Sequence, residues 1–342
     1  MKTSKNLLEE FRSLDGKAQE AILSQLQHEF ERGSQIFENS KKELSEIKSH
    51  KPCPHCKSEN VWKRGTQNSV QMFKCKDCLK WYNENTGSPM YNIKKKHLWQ
   101  EYLRHMQAGL SIKRIAKVMP ISIQTSFDWR HKILSALASK APLKLGKIVE
   151  CDEMEIALSN KGEHGLKRKA RKRGTDFKRN TADKRVTTVQ VVTAVDREGN
   201  KYLKAVETKR LSSSQINKAI GKKITKGTLL ITDEHPSYKG FVKTKSSIVH
   251  KPINAKLLKK STDKKINLQR VNNTHKQLDD FLDRFNGVSS KYLQNYLNWF
   301  TCQKEFNQMA NKVKTWCLAI LTSTQAYDLF YEFKANAVNI RT

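Results

Sequence analysis

The sequence has few acidic residues and no long hydrophobic segment. Its 342 residues include 65 Lys and Arg but only 33 Asp and Glu, so the formal net charge is +32. No segment approaches the ~20 apolar residues of a membrane-spanning helix, and the first residues, MKTSKNLLEEFRSLDGK, lack the apolar run of a signal peptide. These absences predict a cytoplasmic protein. Its positive charge favours a polyanionic partner such as nucleic acid, although ribosomal and membrane-surface proteins are also basic.

Cysteine is scarce as well, and its distribution is informative. Four of the seven cysteines form two C-x-x-C pairs, CPHC at 53–56 and CKDC at 75–78. In a reducing compartment such pairs indicate metal binding, and two of them close a tetrahedral zinc site of the zinc-ribbon type. Unpaired structural cysteines and a redox dithiol are the alternatives. The predicted zinc ligands are Cys53, Cys56, Cys75 and Cys78.

Two segments have apolar residues at helical spacing. Residues 1–48 predict one or two amphipathic helices with a packing or dimer-forming role. Residues 94–140 predict helices that break at Gly109 and Pro120, a pattern typical of a helix-turn-helix, with a plain three-helix bundle as the alternative. In a helix-turn-helix the last helix, here 122–137, lies in the major groove of DNA. The predicted phosphate contacts are Lys113 and Arg114, and the predicted base contacts are Ser122, Gln124, Thr125, Ser126 and Arg130.

Beyond residue 145 the pattern changes to that of strands. The segments KIVECDEMEIAL, RVTTVQVVTAVDREGN and KYLKAVET predict three strands, SSSQINKAIGKKI predicts a helix, and GTLLITDEH predicts a further strand. This order is that of a ribonuclease H-like α/β core. The strongly basic segment between the first two strands predicts a loop ordered by phosphate contacts or one that is merely solvated. Its candidate DNA contacts are Lys167, Arg168, Arg171, Lys172 and Arg173.

Acidic residues occur where two of these strands end. Asp152 and Asp233 are each followed by a glutamate, Glu153 and Glu234. A buried carboxylate is costly unless its charge is compensated, and two Mg²⁺ ions would compensate it while activating a water or a 3′-hydroxyl. Since successive strand residues face opposite sides, an Asp and the Glu that follows it cannot both face one site. Ordinary strand-end or turn acids are the alternative.

Together these motifs resemble those of the zinc-ribbon DDE transposases of bacterial insertion sequences, the ISXO-like group. The stretches that carry the resemblance are CPHC and CKDC, TSFDWRHKIL, VECDE, LLITDEHPSY, and RVNNTHKQLDDFLDRFNGVSSKYLQNYLNWF, which lie between residues 50 and 307. The resemblance implies an N-terminal helical segment (1–48), a zinc ribbon (49–90), a helix-turn-helix (94–140), a ribonuclease H-like catalytic domain (145–310) and a C-terminal helical extension (311–342).

The resemblance also implies the active-site residues. Asp152 and Asp233 match the first two acids of the family's triad, and Asn272 matches the third, which is usually Glu and sometimes Asn. These three residues would hold Mg²⁺ or Mn²⁺, as two ions. His275 would contact the scissile phosphate or position the leaving group, or would be a structural hydrogen-bonding residue. Where the family usually has Lys, this chain has Asp279, with Asp280 and Asp283 following.

The activity implied is binding of terminal inverted repeats and metal-dependent cleavage and transfer of DNA strands. The partners would be double-stranded DNA and further copies of the chain, in the cytoplasm at the bacterial nucleoid. The alternative is a catalytically inactive DNA-binding regulator. It is favoured by Asn272 in place of the third acid and by the aspartates at 279, 280 and 283. An RNA-processing nuclease is disfavoured, because the deep major groove of RNA excludes a recognition helix.

Overall fold

The computed structural model describes residues 4–24, 52–67, 70–138, 144–163, 188–206, 211–245, 247–254, 266–308 and 330. These residues form two compact units. The first unit contains the residues up to 86 and residues 90–104, and the second contains residues 87–89 and the described residues from 105 onward. Within the ranges just given, no helix is long and apolar enough to cross a membrane.

The first unit contains helix α1 (Ser4–Ser13) and a small antiparallel sheet. The strands, in their spatial order, are β1 (Val61–Gln67), β2 (Val70–Cys75) and β3 (Trp81–Asn83). On the buried side of this sheet Phe73 stacks on Tyr82 with ring centroids 5.2 Å apart, and Cys53 and Cys75 are fully buried beside them. So small a hydrophobic cluster contributes little free energy, so the sheet depends on additional stabilisation.

Three helices follow, and they end where the sequence predicts. Helix α2 (Trp99–Gln107) ends before Gly109, which has a φ of 78°. Helix α3 (Ile112–Val118) is capped by the Ser111 hydroxyl, and α4 (Ile123–Leu137) by that of Ser122, which accepts a hydrogen bond from the Thr125 amide at 3.0 Å. Pro120 lies between α3 and α4. The two predicted helix breaks are therefore confirmed.

The second unit is built on a mixed sheet of five strands in the order β6-β5-β4-β7-β8. Strand β4 pairs antiparallel with β5 and parallel with β7, which places it at the centre of the sheet. The chain order of strand, strand, strand, helix and strand is the predicted one. The elements are β4 (Ile148–Ala157), β5 (Thr188–Asp196), β6 (Lys201–Ala205), α5 (Ser213–Ile220), β7 (Leu229–Asp233), α6 (Pro236–Lys243) and β8 (Val249–Ile253).

Helices cover both faces of this sheet. On one face, residues of α5 and α6 such as Ile216 and Phe241 form a core with Val149, Cys151 and Leu230 of the strands. On the other face, α7 (Gln269–Asp283) packs against β4 and β5, and α8 (Leu293–Gln308) packs against β6. The sheet is therefore a central layer between two helical layers.

Helix α4 is a core helix, which corrects the expectation for residues 122–137. Residue 126 and all residues from 129 to 137 are buried, because α4 packs between α3 and α8. His131 contacts the rings of Phe127, Tyr292 and Tyr296, and its Nδ1 lies 3.1 Å from Nδ2 of Asn295. Helices α3 and α4 belong to the same compact unit as the mixed sheet, so the predicted domain boundary near residue 140 does not separate compact units.

Two of the predicted base-contacting residues lie inside this packing. Arg130 is fully buried, its Nη2 donates to the carbonyl oxygen of Leu110 at 2.6 Å, and its guanidinium carbon lies 5.7 and 5.5 Å from the ring centroids of Phe285 and Trp299. The buried hydroxyl of Ser126 donates to the carbonyl oxygen of Ile112 at 3.1 Å. The prediction that Arg130 and Ser126 contact DNA is therefore wrong for this conformation, since both side chains are occupied within the protein.

Replacing Arg130 by Ala is expected to lower the free energy of unfolding by about 2 kcal/mol or more, because it removes a buried hydrogen bond and contacts with two aromatic rings. Urea unfolding followed by tryptophan fluorescence measures the change. Arg114→Ala, at an exposed position of α3, is the control and should change stability by less than about 0.5 kcal/mol. A fully stable Arg130→Ala variant that fails to bind DNA would restore the role predicted from the sequence.

Candidate active site and metal centre

The four paired cysteines converge in the first unit. Their sulfur atoms all lie within 4.8 Å of one another, with Cys53 Sγ 3.6 Å from Cys78 Sγ and Cys56 Sγ 3.5 Å from Cys75 Sγ. A tetrahedral zinc ion with Zn–S bonds of about 2.3 Å places its sulfur ligands about 3.8 Å apart. The donor atoms and their spacing therefore fit zinc.

The two cysteine pairs have matching backbone geometry. Lys57 and Leu79, each directly after the second cysteine of a pair, have positive φ angles of 65° and 56°, which non-glycine residues seldom adopt. The backbone N–H of Cys78, followed by that of Asp77, lowers the pKa of the Cys75 thiol to about 7. Such N–H groups favour the thiolate, which is the form that binds zinc. The matching φ angles give both turns the same backbone shape, although the lowered pKa is that of Cys75 alone: in the first pair the backbone N–H of Ser58 favours the Cys56 thiolate, but burial and the neighbouring thiols raise the pKa of Cys56 to about 12.

The acidic residues lie in the second unit, where β4 and β7 run side by side. Glu150 of β4 pairs with Ile231 of β7, and Asp152 and Asp233 each lie two residues further along their strands. Because alternate residues of a strand share a face, both aspartates lie on the α7 side of the sheet. The parallel pairing thus brings together the two acids that the sequence predicts.

The buried carboxylate of Glu150, which sequence reasoning missed, fixes the position of α7. Its Oε2 accepts hydrogen bonds from the amides of Arg270 and Val271, at 2.8 and 3.1 Å, in the first turn of the helix. Its Oε1 lies 2.8 Å from Nη1 of Arg197, and the Glu150 side chain is fully buried. The one signal in the sequence is an acid two positions before Asp152, on the same strand face. Glu150 is therefore a positioning residue for α7.

From that anchor, α7 places His275 beside the aspartates. Nδ1 of His275 lies 4.0 Å from Oδ2 of Asp152. Burial lowers the pKa of His275 to about 4, so the imidazole is neutral at physiological pH. Burial raises the pKa of Asp152 to about 7, and the charges of Glu153 and Asp233 add to this shift. The site therefore gathers negative charge that its neutral histidine does not compensate.

Two buried polar atoms next to Asp152 lack a hydrogen-bond partner among the described residues. They are Oγ1 of Thr193, which is the residue opposite Asp152 on β5, and Nε2 of His275. Unsatisfied buried groups beside a carboxylate with a raised pKa are typical of a site that binds a cation or a polar ligand. Oxygen donors of this kind fit Mg²⁺ or Mn²⁺.

Both glutamates that follow the aspartates point away from this site. Glu153 accepts a hydrogen bond from the hydroxyl of Tyr238 at 2.8 Å on the α5–α6 face, and burial raises its pKa. Glu234 accepts one from Nδ2 of Asn254 at 2.8 Å.

Asn272 is less closely associated with the aspartates than His275. It lies one turn earlier on α7 and is exposed, and no contact joins it to Asp152 or Asp233 in the described part of the chain. Asp279 lies two turns after Asn272, and burial, followed by the charges of Asp283 and Asp280, raises its pKa. Among the residues that the structure describes, only the four cysteines form a group of at least three Asp, Glu, His or Cys with ligand atoms within 4.8 Å. The ligand atoms of the active-site residues are therefore further apart than the sulfur atoms of the four cysteines.

The sequence of the sheet and its helices matches a known family. Residues 144–304 match the model of the ISXO2-like transposase domain. This part of the chain, somewhat less than half of it, is therefore similar to the ISXO2-like transposase domain. The predicted resemblance to the ISXO-like DDE transposases is thereby confirmed.

A curated relative gives weaker support for the same family. An uncharacterized protein in transposable element ISH50 of Halobacterium salinarum is 26% identical over 112 residues. The match covers 32% of this chain and 38% of that protein, so it spans well under two thirds of the relative.

Solved structures with a weak likeness to this chain include a viral intasome and a transpososome. One is a chain of the simian T-cell lymphotropic virus intasome in complex with PP2A regulatory subunit B56 gamma. The two sequences are 13% identical, the alignment covers 58% of this chain and 66% of the intasome chain, and the TM-score is 0.29. Another is a chain of a pre-cleavage Mos1 transpososome. The two sequences are 13% identical, the alignment covers 70% of this chain and 77% of the Mos1 chain, and the TM-score is 0.27. Both TM-scores are below 0.5, so neither likeness bears on the fold of this chain.

The remaining residues predicted to contact DNA differ in their exposure to solvent. Lys113, Arg114, Ser122 and Gln124 are exposed on α3 and the start of α4, whereas Thr125 is half-buried. The hydroxyl of Ser122 caps α4. Lys167, Arg168, Arg171, Lys172 and Arg173 lie outside the described residues.

The zinc assignment leads to a prediction of metal content. The purified chain is expected to contain about one zinc ion per molecule, and Cys56→Ser or Cys75→Ser to lose it, because a hydroxyl is a poor replacement for a thiolate ligand. Metal analysis of the dialysed proteins measures this directly. Cys151→Ala, in the other unit, is the control and should retain the zinc. Unchanged zinc content in Cys75→Ser would contradict the assignment.

The raised pKa of Asp152 predicts a pH dependence of stability when divalent metal is absent. The pKa is about 7 in the folded chain against 3.8 ordinarily, so between these values the folded state holds more protons than the unfolded state. The free energy of unfolding should therefore fall as pH rises through this window. Asp152→Asn should reduce this fall, by up to about 4 kcal/mol.

Denaturant unfolding without added Mg²⁺ or Mn²⁺, at several pH values between about 4 and 8, measures this effect. The exposed Glu234→Gln is the matched control and should retain the wild-type slope. An unaltered slope in Asp152→Asn would show that Asp152 is already ionised at the lower pH.

Proposed function

We propose that this chain is an insertion-sequence transposase that cuts DNA at the ends of its element and joins them to target DNA. The observation that carries the proposal is the placement of Asp152 and Asp233 on neighbouring parallel strands, with His275 4.0 Å from Asp152. These residues lie inside the ISXO2-like transposase domain. The proposed chemistry is hydrolysis of a phosphodiester bond followed by attack of the freed 3′-hydroxyl on a second DNA strand.

Asp152 and Asp233 would hold Mg²⁺ or Mn²⁺, as two ions, on the α7 side of the sheet. A bound divalent cation activates a water or hydroxyl nucleophile and stabilises the leaving oxygen of the phosphodiester. The chain itself provides the negative charge that attracts the cation, and burial, followed by the charges of Glu153 and Asp233, raises the pKa of Asp152. Zinc, held by the four cysteines, would have a structural role.

The geometry favours His275 over Asn272 as the third residue of the site. Glu150 fixes the first turn of α7, and His275, one turn further, lies beside Asp152. Being neutral, His275 has a lone pair available to accept a proton or bind a cation. Asn272 is exposed and remains the residue that matches the family's third acid, so substitution of both residues is needed to separate their roles.

The proposed substrate is double-stranded DNA with terminal inverted repeats. Lys113 and Arg114 would contact phosphates, and the exposed first turn of α4, with Ser122 and Gln124, would contact bases. Lys161 lies near Lys113 and donates hydrogen bonds to the carbonyl oxygens of residues 285, 286 and 287 at the end of α7. A basic strip thus continues from α3 towards the active-site helix.

Further parts of the proposal rest on the family resemblance. The mixed sheet would be a ribonuclease H-like catalytic core, α3 and α4 a helix-turn-helix, and the four-cysteine unit a zinc ribbon. Cutting two element ends together implies assembly of at least two copies on DNA. The protein would act in the cytoplasm, at the bacterial nucleoid.

Incubating the chain with a DNA fragment that carries its own flanking ends, in Mg²⁺ or Mn²⁺, tests this function. Asp152→Asn is expected to reduce strand cleavage by about 1,000-fold or more, because it removes a metal-binding carboxylate. His275→Ala is expected to reduce cleavage more than Asn272→Ala does. The matched controls are Glu234→Gln, directly after β7, and Asn273→Ala, on α7. Both should retain wild-type activity.

The same experiment separates the alternatives. If Asn272→Ala abolishes cleavage while His275→Ala retains it, Asn272 is the third residue and the structural argument for His275 is wrong. If the wild type binds the ends without cutting them in either metal, the chain is a DNA-binding regulator.

A further inference from the structure

The small sheet of the first unit has two chemically different faces. Its inner face carries the zinc-binding cysteine Cys75 with Phe73 and Tyr82. On its outer face, the register aligns Trp62 of β1 with Lys74 of β2, and Lys74 with Trp81 of β3. Two indoles therefore flank one lysine across all three strands. We call this surface, with Arg64 and Lys76, the tryptophan face.

Both tryptophans are unusually exposed. Trp62 is 39% and Trp81 is 55% exposed, whereas Phe73 and Tyr82, on the opposite side of the same strands, are about 5% exposed or less. Large aromatic side chains are normally buried, so a pair of exposed ones on a single flat surface indicates a binding site.

Cations surround the exposed rings. The guanidinium carbon of Arg64 lies 5.0 Å and Nζ of Lys76 lies 5.6 Å from the ring centroid of Trp62, and Nζ of Lys74 lies 5.8 Å from that of Trp81. None of these three cations forms an ion pair with a carboxylate in the described ranges. The tryptophan face thus combines apolar ring surfaces with positive charge that is available to an anionic partner.

We propose that the tryptophan face binds an unpaired stretch of DNA. Two bases would stack on the two indoles, while the adjoining phosphates would contact Lys74, Arg64 and Lys76. This combination of exposed aromatic rings with a positively charged groove or surface is how proteins hold single strands with little sequence preference. The inference deepens the proposed function, because it rests on DNA as the substrate and names the part of the DNA that the first unit holds.

The composition of the face disfavours other partners. In a duplex the bases are already stacked on one another, so exposed indoles would add little to phosphate contacts made by the cations alone. A protein partner would bury the centre of the patch, and the centres of protein interfaces are depleted of lysine. Here Lys74 occupies the centre, between the two indoles.

Fluorescence anisotropy of the full-length, zinc-loaded chain with a labelled single strand of about 20 nucleotides, and with the duplex of the same sequence, tests the proposal. Trp62→Ala and Trp81→Ala are each expected to weaken single-strand binding between about 5-fold and about 150-fold, while duplex binding changes by less than about 3-fold. The phenylalanine variants at both positions retain a ring and should recover most of the affinity.

Two control variants test the role of position. Leu79→Ala removes a side chain that is 59% exposed in the turn between Cys78 and Trp81, and Lys63→Ala removes a lysine from the opposite face of β1. Both should bind single strands within about 3-fold of wild type, and all variants should retain their zinc. Equal losses for single strand and duplex, no loss in either tryptophan variant, or a matching loss in Leu79→Ala would each overturn the proposal.

These measurements are independent of catalysis, because they are made without added Mg²⁺ or Mn²⁺ and can be repeated in an Asp152→Asn background. A chain that fails to cut DNA but prefers single strands through Trp62 and Trp81 would refute the transposase proposal and leave this inference intact. A chain that cuts DNA normally, and that binds single strands equally well with and without both tryptophans, would do the reverse.

Discussion

The arrangement of the candidate active site depends on one buried carboxylate, that of Glu150. A charged group without solvent is stable only if several partners satisfy it, and Glu150 has the amides of Arg270 and Val271 on one oxygen and Arg197 beside the other. These bonds fix where α7 begins against β4. Once the first turn is fixed, helical geometry determines that the residue four positions after Val271 faces Asp152, and that residue is His275. The strand, the helix and the acid pair are thus held in one arrangement by a residue outside the predicted site.

Much of this organisation could be predicted from local sequence. The cysteine spacing predicts the sulfur cluster because four ligands on two tight turns have few other arrangements, and Gly109 and Pro120 predict helix ends because of their backbone restrictions. Asp152 and Asp233 could be paired because strand ends of an α/β sheet are brought to a common edge. Each of these inferences depends on residues close together in the chain or on a general property of sheets.

The errors concern contacts between distant parts of the chain. Arg130 is predicted from the sequence to contact DNA, yet it is buried, because Phe285 and Trp299, about 160 positions later in the chain, lie against its guanidinium group. Likewise, motif alignment selects Asn272, whereas the anchoring of α7 by Glu150 brings His275 next to Asp152. The outer side of the small sheet was missed because Trp62, Lys74 and Trp81 align only when the strand register is known.

The burial of α4 has a mechanical consequence. Helix α3 packs on α4, α4 packs on α8, and α8 packs on the sheet that carries Asp152, so these elements form one compact body. If α3 and the start of α4 dock on DNA as proposed, the number of base pairs between the bound sequence and the severed bond is set by the dimensions of that body. Moving the cut site by one base pair would then require repacking of the protein interior. Surface mutations alone would therefore not change the distance between the bound sequence and the cut site.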